Sequence, residues 1–366
     1  MGALSCSYRR KGAGSLSVPK EQKRRKKMKK VIVVLLALIL ASSMIFAQSA
    51  SETPATGART QKLVLTFPEI NADSDLACKF LVRFADTVKE KTNGMIEINV
   101  FGSGQLGTEA ECIEGLRLGT YAFFRINPAN LKNRGVDIPE YTALGLPFLL
   151  QSIKGGLDFL YSDSGRKLGD KVLEASNGEI RSLYNYICTP ARNMFTKTQC
   201  TSLADFKKLK IRSETSDIKI DMINCWASAT PLAMSEIYTS LSTGVLDGCE
   251  NTLSGLRNNN WYEQVKYVYE TEHVIGTSVI LVSEKVWQQF TAEEQKIISE
   301  AMKEACDWFQ VETEKQISEN KAFLTEKGVV FTPCTDKQAW IDACAPLYAK
   351  YAAGVQDFIK EIQSYK

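Results

Sequence analysis

The 366-residue chain predicts an α/β protein of two lobes, with the chain crossing between them more than once. Three observations carry that expectation. A strand–helix–strand unit opens the folded part, and further strand and helix patterns alternate after it. A long stretch near the end has no internal glycine or proline and reads as a helix able to bridge two lobes. The chain is also too long for one ordinary domain, and its 44% apolar and 24% charged residues are those of a globular protein.

Residues 1–27 fit no element. Their "KEQKRRKK" would be encoded by purine-rich codons, as a bacterial ribosome-binding site is. We therefore expect an upstream extension, with the true start at Met28. Residues 28–47 hold two lysines, the apolar run Val31–Ala41 and small residues before Ala47, which is the layout of a secretory signal peptide. The alternative is a single N-terminal membrane anchor, for which the run is short. No cysteine stands at the cleavage point to carry a lipid. Residues 48–61 read as a polar linker.

Charge changes with that reading. Residues 1–47 hold 11 of the 45 bases and one of the 42 acids, so the remainder has 34 bases and 41 acids, net −7. It has no basic run, which argues against a nucleic-acid partner.

The elements follow in order. "KLVLTF" (Lys62–Phe67) is a strand. Asp73 and Ser74 can cap a helix whose apolar residues are Leu76, Phe80, Leu81, Phe84 and Val88. After the Asn93-Gly94 turn, Met95–Phe101 alternates as a half-buried strand, so the two strands should be parallel. Glu109–Leu118 is a helix and Tyr121–Ile126 a strand, with Arg125 facing either a cleft or an edge. A helix is expected over Ser152–Ser176, broken at Gly155-Gly156. Ile180–Tyr186 and Ala191–Lys197 are two strands. Leu209–Arg212 is a short strand before an N-cap cluster and an amphipathic helix. Thr291 and Glu294 form a capping box for the long helix, which runs to Gly328.

Chemistry-bearing motifs are scarce. The one histidine is His273, and no nucleophile elbow, zinc-binding helix, phosphate loop or dinucleotide turn occurs. Nine cysteines follow Ala47, an odd count without a CxxC pair or zinc spacing. Most read as buried small hydrophobes. Cys188 and Cys200 flank a possible hairpin and could pair, which spacing leaves open. An enzyme is not expected, nor a metal or cofactor. Two lobes without catalytic groups suggest capture of a small molecule between them.

Three segments then carry a resemblance: "TVKEKTNGMIEINVFGSGQLG" (Thr87–Gly107), "KLKIR" (Lys208–Arg212) and "TPLAMSEIYTSLSTGVLDGCEN" (Thr230–Asn251). Together, in this order, they resemble the extracytoplasmic solute-binding proteins of TRAP (tripartite ATP-independent periplasmic) transporters. The similarity runs from Lys62 to the end. It implies a periplasmic-binding-protein (Venus flytrap) fold with interlobe hinge strands and a long helix spanning both lobes. Family members are not enzymes; they close on a small organic acid and deliver it to a membrane permease. The lobes would be 62–189 plus 277–316 and 190–276 plus 317–366, hinged near Pro190 and Gly276. A periplasmic, monomeric protein is implied.

The resemblance also assigns residues. Arg212 matches the arginine that forks onto the ligand carboxylate, as a planar, permanently charged guanidinium can. Arg192 matches a second arginine near the ligand, or is a hinge-strand ion pair. Asn251 matches a ligand-binding asparagine, or caps the next helix. Met234 stands where relatives have a ligand wall, or fills the core. His273 matches an interlobe histidine and reads more readily as structural. Asn127 replaces a glutamate of some acidic-sugar binders. Trp226 replaces a common glycine, and either narrows the cleft or anchors its helix. Some spirochaetal relatives have apolar clefts and work with a tetratricopeptide-repeat partner, so a hydrophobic ligand stays open. A sensor domain on the same fold and a secreted hydrolase are the other readings. The first lacks an output segment in this sequence and the second a nucleophile.

Overall fold

The computed structural model describes residues 59–366, and only the backbone of Ile187 and Cys188. The upstream extension, the signal peptide and nearly all of the linker lie outside the described residues.

The opening unit forms as its pattern predicts. β1 (Leu63–Pro68) and β2 (Ile96–Phe101) pair in parallel, joined by α1 (Leu76–Lys91). The cap of α1 is Asp75 rather than Asp73 or Ser74. Its carboxylate accepts from the Ala77 N–H at 2.8 Å, while the Asp73 N–H is turned toward Ser103 Oγ. Apolar residues of α1 at helical spacing, among them Phe80, Phe84 and Val88, are fully buried.

α2 (Glu109–Leu118) starts from a Thr108–Glu111 capping box and leads into β3 (Phe123–Ile126). The helix expected over Ser152–Ser176 is two helices, α3 (Ile153–Leu160) and α4 (Asp163–Ala175). The break lies at Tyr161–Ser162, where Ser162 caps α4, and not at the glycines. Gly155 is inside α3 because the chain end crosses it: a Cβ there would lie 2.8 Å from the Tyr365 carbonyl oxygen.

The two expected strands at 180–197 are one, β4 (Ile180–Thr196). Beyond it lie β5 (Lys210–Ser213), α5 (Asp217–Trp226), β6 (Ser228–Pro231), β7 (Gly248–Asn251) and β8 (Tyr267–Ser283). β4 and β8 are each 17 residues long and run antiparallel. They hold the two halves together. The register breaks between Ile187 and Ala191. On one side of the break β8 carries β3, and on the other β4 carries β7, then β5 and β6. At the break stands Gly276, where a Cβ would lie 2.1 Å from Thr189 Oγ1.

α6 (Ala292–Glu326) has 35 residues, which at 1.5 Å each span about 52 Å. Its Ile298–Phe309 face belongs to the core of β1, α1 and β3, where Phe80 and Phe309 meet edge-on at 5.3 Å. Its Leu324 lies in a second core with Ile237, Leu246 and Trp261. One helix therefore packs in both halves.

The tail is shared rather than confined to the second lobe. β9 (Val330–Pro333) pairs with β8, and α7 (Lys337–Ala343) brings Trp340 onto Phe206 and Tyr269. After α8 (Ala345–Tyr351), α9 (Gln356–Ser364) returns to α3, with Phe358 5.4 Å from Phe159. A third core, running from Phe159 through Trp226 to Ile359, covers the expected lobe boundary.

Candidate ligand site

A cleft of about 1190 Å³ lies against the hinge and takes residues from both halves. Its floor is the β4–β8 crossing, including Thr189, Pro190, Gly276 and Thr277. Arg125 lines it too, but is committed below. Its guanidinium forks onto buried Glu69 at 2.7 and 2.5 Å and donates to Ser278 Oγ at 3.1 Å.

β5 presents Arg212. The strand lies between β6 and β7 with Ile211 fully buried, so the arginine comes at the carboxyl end of a central strand, where α/β folds hold ligands. Arg212 is 5% exposed, and its Nε donates to the Leu232 carbonyl at 3.0 Å. Among the described residues it makes no ion pair. A buried guanidinium with two terminal nitrogens and no directly paired carboxylate among the described residues is arranged for an anion.

Arg192 differs. Its Nε and Nη2 fork onto Glu250 at 2.5 and 2.7 Å, and Nη2 also reaches Glu214 at 3.0 Å. His273 completes this cluster, with Nε2 3.3 Å from Glu250 and Nδ1 2.7 Å from Thr271 Oγ1. A carboxylate only accepts, so Nε2 carries the proton and the Thr271 hydroxyl donates to Nδ1. Burial lowers the His273 pKa against the pull of Glu250, so the ring is neutral at neutral pH. Burial would raise Glu250, but Arg192 and His273 hold it well below the usual carboxylate range.

A seam of polar contacts joins the halves beside Arg212. Asn130 Nδ2 donates to Glu214 Oε2 at 2.9 Å and to Glu109 Oε2 at 3.1 Å, and its Oδ1 accepts from Ser216 at 2.8 Å. Arg134 reaches Thr215 at 2.8 Å and Glu109 at 3.3 Å. Burial, then the charge of Glu214, raises the Glu109 pKa. Glu214 moves the other way, because Arg192, Lys219 and Arg212 outweigh its burial. Sequence reading missed Glu109, Asn130, Arg134 and Glu214. Only Glu214, two places after Arg212, left a positional hint.

Of the residues named from sequence, Arg212, Arg192, Asn251, Met234 and Asn127 line one cleft. Asn251 ends β7 and does not cap the next helix, because Thr252 does. Asn127 turns the chain after β3, its Oδ1 accepting from Ala129 N–H at 3.0 Å. Trp226 and His273 do not line the cleft. Trp226 ends the core face of α5, donates from Nε1 to the Trp340 carbonyl at 3.2 Å and packs on His273 at 5.1 Å, so it does not narrow the cleft. Cys200 is a free buried thiol, and the side chain of Cys188 lies outside the described residues.

The sequence model of the family described as "Bacterial extracellular solute-binding protein, family 7" matches residues 67–354. A solute-binding protein of Chromohalobacter salexigens is 28% identical over 75% of this chain and 80% of its own length. The sialic acid-binding periplasmic protein SiaP of Vibrio cholerae is 27% identical over 74% and 83%. Among solved structures, a TRAP periplasmic solute-binding protein of Xanthobacter autotrophicus with bound β-D-galacturonate superposes with a TM-score of 0.77. It is 28% identical, with 82% of this chain and all of that one covered. One of Pseudomonas putida with bound D-glucuronate gives 0.77 at 26% identity, covering 82% and 97%.

Proposed function

The chain belongs to family 7 of the bacterial extracellular solute-binding proteins, and on that premise we propose that it captures a small carboxylic acid between its lobes for a TRAP permease. Capture needs no catalysis, and the protein acts outside the cytoplasm as a monomer after losing its signal peptide. The observation that carries the ligand class is Arg212: a nearly buried guanidinium in the cleft without a carboxylate partner among the described residues. Sugar acids are the first ligands to try, since structural neighbours hold galacturonate and glucuronate. The cleft also carries Phe148, Leu150, Ile275 and Phe309, which favours adding carboxylates with apolar tails to the panel. An apolar ligand would make a periplasmic tetratricopeptide-repeat protein the second partner to test.

The test is native mass spectrometry of the exported protein, followed by titration calorimetry with the acid it carries. Arg212→Ala removes a charge-assisted fork and should cost about 2–4 kcal/mol, roughly 30- to 1,000-fold in affinity. Arg212→Lys should recover only part, because an ammonium cannot reproduce the fork. A carried molecule without a carboxylate, retained by Arg212→Ala, would sink this reading.

A further inference from the structure

Outside the cleft, two cysteines far apart in sequence meet on one helix seam. α5 lies along the α7–α8 pair, and contacts bracket the two thiols. Four residues before Cys225, the Asp221 carboxylate accepts from Lys350 Nζ and Tyr351 Oη, both at 2.7 Å. One residue after it, Trp226 bonds the Trp340 carbonyl at 3.2 Å. Cys344, between Trp340 and Lys350 at the α7–α8 junction, is buried in the same core against which Cys225 packs. These contacts on either side, and the shared core, set Cys225 and Cys344 on facing surfaces of one seam, where both stand as free thiols and each shifts the other's ionisation. We propose that Cys225 and Cys344 close a disulfide in the exported protein, stapling the α7–α8 pair to the helix that follows the Arg212 strand.

The chemistry singles out this pair. Cys225 is half-buried, so an oxidant can reach it. Its thiol is lowered by the hydrogen bond from Cys344, and Lys207 adds to that effect. Burial pushes the Cys78, Cys112 and Cys249 thiols up to about 12, and Cys306 well above its usual value. Those four are poor nucleophiles, and so is Cys344, raised by its hydrogen bond with Cys225 and by burial, until Cys225 has reacted and that bond is gone; Cys225 therefore attacks first. With oxidised glutathione as oxidant, the Cys225 thiolate attacks one glutathione sulfur and releases one glutathione thiolate. The Cys344 sulfur then attacks Cys225 and releases the second. The two protons lost by the protein end on the two glutathiones, and the protein loses two electrons to the oxidant's disulfide. An extracytoplasmic compartment favours this step.

The test uses the full chain, incubated with oxidised glutathione, blocked with iodoacetamide, and digested with trypsin without reductant. Residues 220–257 and 338–350 are expected as one cross-linked peptide, and fragmentation must place the link on Cys225 because Cys249 shares the first peptide. Cys344→Ser should trap a glutathione adduct on Cys225, and Cys225→Ser should leave Cys344 alkylated once unfolded. Reductant should lower the melting temperature of the parent by several degrees and leave Cys225→Ser, a half-buried and mild change, unmoved. The proposal is overturned if both cysteines of the parent come back alkylated, or if the parent keeps glutathione on Cys225. Because the oxidant is supplied in the tube, either result is independent of ligand and export.

Discussion

Arg212 and Arg192 share a cleft but differ in what already surrounds them, and that difference separates binding from stability. Arg192 is held by Glu250 and Glu214, all three taken out of water. Removing one partner of such a cluster leaves buried charge uncompensated, so Arg192→Ala should cost about 3–5 kcal/mol of folding stability. Arg212→Ala breaks no ion pair found among the described residues and leaves Glu214 with Arg192 and Lys219, so it should cost about 1 kcal/mol or less of stability while losing the ligand. Urea titrations of both variants decide this, and an Arg192→Ala protein as stable as its parent refutes the assignment. Glu109 makes the complementary case. Its charge is opposed by burial and by Glu214, and it lies within the field of Arg212. Glu109→Gln keeps an acceptor for Asn130 and removes a negative charge near the expected carboxylate. Affinity should rise by about 1 kcal/mol, roughly five-fold. Weaker binding in calorimetry would mean that Glu109 itself receives a ligand group.

The elements that matter most are β4 and β8, because every path between the halves other than α6 and the tail passes near their crossing. Gly276 stands at the register break with no room for a side chain. Gly276→Ala should cost about 1–3 kcal/mol through overlap with Thr189 Oγ1. That hydroxyl is buried and has no hydrogen-bond partner among the described residues, so Thr189→Ala should be nearly neutral and should recover most of the loss in the double variant. Additive losses in a double-mutant cycle would show that the glycine is needed for another reason. Sequence made much of this scale readable. Period located α1 and α2, period with the Thr291–Glu294 capping box located α6, and Pro190 and Gly276, named from sequence, both stand at the register break. What it missed has physical causes. β4 looked like two strands because Thr189-Pro190 interrupts the pattern, whereas pairing with β8 on both sides of the break carries the strand through. The glycines of α3 looked like a break because their reason, the returning chain end, is about 210 residues away. Arg212 was readable because its strand is local. The Glu109–Asn130–Glu214 seam was not, since it exists only where two distant turns meet. Trp226 was left between cleft and core because a helix pattern cannot say which of two buried sides faces a ligand; the structure gives the core.

At the scale of the molecule, the Arg192–Glu250–His273 cluster ties β4 and β8, the two strands that both halves share, to β7 beside them, so its protonation should weaken the whole fold rather than one lobe. The signs can be worked through. His273 is depressed below its ordinary 6.5, so the unfolded chain binds its proton more readily. Its contribution is complete above about pH 6.5 and is lost as pH falls from there through the folded-state pKa. Glu250 and Glu214 are depressed below 4.5, so their contributions are lost at lower pH still. Glu109, raised above 4.5, has the opposite sign and gains on acidification, but it is one group against three. Stability should therefore fall continuously from about pH 6.5 downward, steepening below 4.5. Ala292–Glu326 and the tail also bind the halves, so a single cooperative transition is expected at each pH. The check is the urea midpoint at a series of pH values, with parent and His273→Gln compared. The amide can still donate to Glu250 but cannot take a proton, so the variant should lose the part of the fall between pH 6.5 and 4.5. A parent midpoint that is flat across that interval would mean that His273 is already charged in the folded protein and that Glu250 carries a second full positive partner.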